Sequence, residues 1–162
     1  MRLRRHPLPD AVRALALLPG ERRVAWALTP AGEPVVATDL ALHLPDGERV
    51  AWPDVERASW QRPALQVLEV AEVAGTGRTH LVELDGDTDL ADVVRTRVTG
   101  SVAWSSHSRL SPAGGVRVVG RRRPGLEVLD WQLVYDPGTD TADPLVRAQA
   151  EQLLLGAQRS VG

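Results

Sequence analysis

The sequence predicts an α+β fold, mainly antiparallel β, and three observations carry that prediction. Short runs of alternating apolar and polar residues recur between Arg22 and Leu84, with turn residues between them. The alternation stops at "DGDTD", where the apolar spacing becomes helical. The last apolar stripe, in 144–157, repeats at helical intervals and is preceded by Asp-Pro.

Each element has its own local reason. Pro9 and Asp10 before "AVRALALL" predict a short helix capped by Asp10, with Val12, Leu15 and either Ala16 or Leu18 on one face. Pro19-Gly20 is its stop. Residues 22–29 alternate as a strand, with Val24, Trp26 and Leu28 sharing a face, and "TPAGEP" turns the chain. Strands follow over 34–38 and 40–44. In the second of these Leu40, Leu42 and Leu44 face one way, Ala41 and His43 the other. "PDG" at Pro45–Gly47 is a turn between alternating runs, and 48–52, 55–60, 65–73 and 78–84 continue the series. Strands this short, spaced by about 8–12 residues, predict a barrel or sandwich.

Thr88 or Asp89 then caps a helix to about Val98, with acids in its first turn where the helix dipole favours them. Three longer strands follow over 101–110, 116–123 and 126–135, the last with Leu129, Trp131, Leu133 and Tyr135 on one face. Asp143 and Pro144 open a final helix whose Val146, Ala150, Leu153, Leu154 and Ala157 form a docking stripe. Two units are expected: residues 1–100, and an appended meander plus helix over 101–162 that can pack with the first as one body.

Composition excludes whole classes of chemistry. The 162 residues contain no cysteine, so disulfides, thiolate catalysis and cysteine-ligated metals are out. All 19 basic residues are arginine, which removes Schiff-base and P-loop lysine chemistry, and the bias points to GC-rich coding. A net charge of −2 gives no bulk attraction to nucleic acid or anionic membrane. Arg13 interrupts the apolar run that ends at Leu18, so neither a signal peptide nor a membrane span is expected, and the expected location is cytoplasmic.

"VVATDLALHL", a turn, "ERVAW" and "PDVERASW" resemble the second to fifth strands of bacterial PH-like and GRAM-like domains, in proteins of actinobacterial type. The matching residues are Thr38, Asp39, Leu40, Leu42, Trp52, Asp54 and Val55. The resemblance spans roughly 20–100 and implies a seven-strand barrel closed by a helix, serving as a non-enzymatic binding scaffold. The phosphoinositide pattern of such domains needs basic residues between the first two strands. "TPAGEP" offers Glu33 instead, so no phosphoinositide site is expected.

Candidate chemistry outside the resemblance is sparse. His6, His43, His80 and His107 have no spacing that builds a metal site, and strand histidines facing solvent account for them. "DGDTDLAD" fails the EF-hand pattern at Leu90 and Thr96, counted from Asp85. In "SSHS", Ser105 and His107 share a strand face, but no nucleophile elbow accompanies them. Trp26, Trp52 and Trp131 are expected in the core.

"GRRRPG" is the densest charge run. Arg117, Arg121, Arg122 and Arg123 form a candidate patch for an anionic partner, with Arg109 upstream and a companion cluster at Arg2, Arg4 and Arg5. Without lysine or interleaved aromatics, a hairpin tip kept soluble by charge is the better account, and nucleic acid is not an expected partner. The leading expectation is an interaction module with a protein partner and no cofactor, docking on a sheet edge or groove. The alternatives are a ligand binder or small enzyme with a Trp-lined cavity anchored by His80 or His107, and weak anion binding through the arginine hairpin.

Overall fold

A computed structural model describes residues 7–86 and 88–162. The fold is α+β, with mainly antiparallel sheets and a C-terminal helix. Helix α1 spans Asp10–Ala14, and strands β1 (Arg23–Leu28), β2 (Pro34–Thr38), β3 (Ala41–His43) and β4 (Arg49–Ala51) form one meander. After a 3-10 turn at Trp52–Asp54, strands β5 (Val55–Gln61), β6 (Ala64–Glu69) and β7 (Thr79–Glu83) form a second. Helix α2 (Leu90–Ser101) leads to the third, β8 (Val102–Arg109), β9 (Gly115–Arg121) and β10 (Asp130–Tyr135), and helix α3 (Pro144–Val161) ends the chain. The first seven strands thus divide into sheets of four and three. Among the described residues no ladder closes them into one barrel.

The main core lies between the first two sheets and α2. Val35, Ala37, Leu42, Leu44, Trp52 and Val55 meet Leu65, Val67, Leu90 and Val94 there. Trp52 is buried as expected, and its indole N–H is satisfied by the Thr38 carbonyl at 3.0 Å. Thr88 begins α2, its Oγ1 accepting from the Leu90 N–H, while Asp89 makes no side-chain cap.

Three expectations need correction here. The core face of β1 is Ala25 and Ala27; Val24, Trp26 and Leu28 point the other way, and Val24 is 45% exposed. The strand runs close beside α2, and small residues on the inner face allow that approach. Trp131 is half-buried, edge-on to Trp104 with ring centroids 5.6 Å apart, and Trp26 is also half-buried. Helix α1 stops at Ala14, with Asp10 inside it and Pro9 at the cap position. The Arg23 guanidinium takes the carbonyls of Val12, Arg13 and Leu15, so the chain leaves the helix there.

The first sheet is covered on both faces. Val36, Thr38, Ala41 and His43 face away from the main core yet are buried, because the arm carrying α1 and Glu21 lies over them. In the third sheet, Leu110, Val116 and Tyr135 pack under Val146 and Ala150 of α3. The Asp143 carboxylate caps that helix, accepting from the Leu145 N–H at 2.8 Å, and Pro144 sits in its first turn as expected.

Backbone bonds join this sheet to the preceding residues. Tyr135 donates to Glu72 and accepts from Ala74, a parallel bridge pairs it with Val73, and the Arg122 N–H meets the Ser101 carbonyl. Among the described residues no helix is long and apolar enough to cross a membrane.

Candidate functional site

The outer edge of β1 is an end of the first sheet. Pairing of Ala25 with Ala37 and Ala27 with Val35, followed by the bond from Thr29 N–H to the Glu33 carbonyl, turns those backbone groups toward β2. The backbone groups of Trp26 and Leu28 therefore point outward. The Leu28 carbonyl accepts from the Asp85 N–H at 2.8 Å and the Trp26 carbonyl has a 3.5 Å contact from Thr88 Oγ1. Among the described residues no strand pairs with this edge. The register slips between Arg23 and Ala25, so Val24 lies at a bulge.

A groove of about 550 Å³ runs along this edge, with Val24 to Leu28 on one side and Asp85, Thr88 and Asp89 on the other. A second depression of about 260 Å³ shares Val24 and Asp89 and continues past Asp92 and Val93 to Arg97. The alternation of 22–29 marked the outward face correctly as a group; its apolar character suggested core. The acids enter through "DGDTD", which composition alone explains as a turn and a helix start.

The arginine run does not form one patch. Arg121 is buried and donates to Ser101 Oγ and Gln132 Oε1, and burial pushes its guanidinium below the usual value despite the nearby charges of Glu56, Asp54 and Asp130. Arg123 bridges Asp54 at 2.8 Å and Asp130 at 2.6 Å, and these hydrogen bonds hold its charge more firmly than usual. Arg117 lies on β9 and donates to Ser105 Oγ. Arg122 is exposed and lines a depression of about 660 Å³ with Arg97, Trp52 and Leu126. Arg2, Arg4, Arg5 and His6 lie outside the described residues.

Among the described residues, His43, His80 and His107 do not meet; each has its own carboxylate. His80 Nε2 lies 2.6 Å from Glu69 and His107 Nε2 2.7 Å from Asp136. His43 and His80 are buried, contrary to the solvent-facing expectation. His43 is roofed by the arm, and its Nε2 lies 2.9 Å from Glu21, in a cluster with Thr38 and Arg49. Burial would raise the Glu21 carboxyl. The donors Thr38, His43 and the Leu18 N–H, with the charge of Arg49, outweigh it and lower the pKa to about 2.

Gly115 makes room for the His107–Asp136 pair: a Cβ there would lie 2.2 Å from Asp136 Oδ2 and 2.9 Å from His107 Nε2. Among the described residues no three potential metal ligands cluster. Among the described residues the tryptophans are dispersed: Trp26 borders the β1 groove, Trp52 the α2 depression, Trp60 packs against the main core, and Trp104 pairs with Trp131. The groove beside His80, about 590 Å³, is bordered by Glu33, Asp46 and Glu83, and its Arg78 is tied to Glu48 at 2.7 Å.

No family model, curated protein or solved structure matches this chain.

Proposed function

We propose that this chain is a non-enzymatic interaction module that docks a protein partner on an exposed sheet edge, and that it works in the cytoplasm. Residues 1–100 form its PH-like part and 101–162 an appended meander and helix. Meanders of four and three strands followed by a helix packed over their shared core support the PH-like reading.

The observation that carries the docking role is the outer edge of β1. The N–H groups of Trp26 and Leu28 face outward at the end of the sheet, where no further strand lies among the described residues, and Val24, Trp26 and Leu28 are apolar side chains beside them.

The test places a photocrosslinking residue at Val24 and, separately, at Leu145 on α3, which is 69% exposed. Both proteins are irradiated in native lysate and the crosslinked peptides identified by mass spectrometry. One partner segment joined through position 24 and absent from position 145 is the expected result. Crosslinks confined to position 145 would move the docking surface to α3 and overturn the role of the edge.

A further inference from the structure

The depression between the last turn of α2 and the loop from β9 to β10 carries features that docking at β1 leaves unused. Its volume of about 660 Å³ falls within the roughly 300–1,000 Å³ of small-molecule sites. The bond from the Arg122 N–H to the Ser101 carbonyl holds the start of that loop against the helix end, and Arg97 and Arg122 line the same space. Among the described residues neither guanidinium has a hydrogen-bonded or ion-paired partner. Arg123, also in the lining, is already neutralised by Asp54 and Asp130.

The rest of the lining is suited to a hydrocarbon. Leu126 and Val128 are exposed on the loop side, and the buried Trp52 belongs to the inner wall. Gly100 sits in the last turn of α2, although glycine is a poor helix former. Neither a positive φ nor a close neighbour requires it there: a Cβ at this position would meet nothing within 4 Å. The glycine leaves room in the depression that no protein atom fills. Acidic groups limit the charge of what enters. Glu127 and Asp39 both line the space, and the C-terminal end of α2 adds partial negative charge. Two guanidinia can share one carboxylate through charge-assisted bonds, whereas a doubly charged phosphate meets more repulsion from these acids.

We propose that this depression binds a small monocarboxylate with an apolar body. The carboxylate lies between Arg97 and Arg122, and the hydrocarbon passes over Gly100 against Leu126, Val128 and Trp52. The site is separate from the β1 edge, and neither reading rests on the other.

The probe is octanoate, with octanamide as its neutral analogue and inorganic phosphate as an anion without a hydrocarbon. Each is titrated into the full chain and followed by amide and arginine side-chain NMR. Octanoate is expected to shift Gly100, Ser101, Arg122 and Leu126–Leu129 saturably while Val24–Leu28 stay unmoved. Octanamide and phosphate bind at least about tenfold more weakly. Arg97→Gln with Arg122→Gln keeps donors but removes the charges, and lowers octanoate to the affinity of octanamide. Gly100→Leu fills the space and abolishes binding, while its urea midpoint stays level or rises because leucine is the better helix former.

Equal affinity for octanoate and octanamide overturns the role of the two arginines. Phosphate binding tighter than octanoate overturns the apolar selection. Octanoate shifts confined to other surfaces, no saturable shift with octanoate, or a folded Gly100→Leu chain that binds as the unaltered one does, overturn the site itself.

Discussion

Replacing Glu21 by glutamine tests whether its buried cluster holds the arm to the first sheet. The side chain is fully shielded and accepts from Thr38 Oγ1 at 2.5 Å, His43 Nε2 at 2.9 Å, the Leu18 N–H at 2.9 Å and Arg49 Nη2 at 3.3 Å. These donors hold a carboxyl that ordinarily titrates at 4.5 down to about 2. That gap corresponds to about 3 kcal/mol of stability.

Because the folded value is the depressed one, this stability is fully present above 4.5 and is lost as pH falls toward 2. Glutamine removes the charge and sets an amide N–H₂ where a carboxylate oxygen accepted, so donors face donors. Urea unfolding followed by tryptophan fluorescence, from pH 7 to pH 2.5, is the assay. The variant is expected to be about 2–3 kcal/mol less stable at pH 7, with the two proteins converging as pH falls. Other carboxylates titrate alike in both, so the difference isolates Glu21. Parallel curves across that range would refute a depressed carboxyl at this position.

The remaining predictions concern packing and the third sheet. Leu42, with no exposed surface, should cost about 2–5 kcal/mol as alanine, read from the urea midpoint. Gly77→Ala places a Cβ 1.8 Å from the Glu69 carbonyl oxygen and should cost at least about 1–3 kcal/mol by the same measurement. Asp143→Ala removes the α3 cap at about 1 kcal/mol, and Asn at this position should restore most of it. Arg122→Ala should change stability by less than about 0.5 kcal/mol, whereas Arg121→Ala removes the donor to Ser101 Oγ and Gln132 Oε1 and should lower the thermal midpoint by several degrees.

What the sequence revealed followed local physics, and what it hid depended on distant partners. Asp143-Pro144 announces α3 because capping involves only adjacent residues. The "PDG" turn and the strands beside it are legible for the same reason. The burial of His43 was not legible, since its carboxylate lies 22 residues upstream and its roof is an arm whose path depends on Arg23. The alternation in β3 was legible, but both faces of β2 and β3 are buried, so it did not mark a solvent face. In β1 the larger side chains border a groove and the alanines enter the core, so size misled the choice of face. The arginine run looked like one patch, but Arg121 and Arg123 are held by partners from other segments.

Every strand ladder joins neighbours in the sequence: β1 to β4 in order, then β5 to β7, then β8 to β10. Pairings of this kind need only short loop closures, the least costly entropically and the quickest to form. During synthesis the first meander is complete in sequence before β5 has been made, and the second before α2. The bonds of Tyr135 to Glu72 and Ala74 must wait until a further 60 residues have been added. Synthesis therefore delivers each meander whole, and the seam at Tyr135 can close only after β10 has been made, with α3 following it.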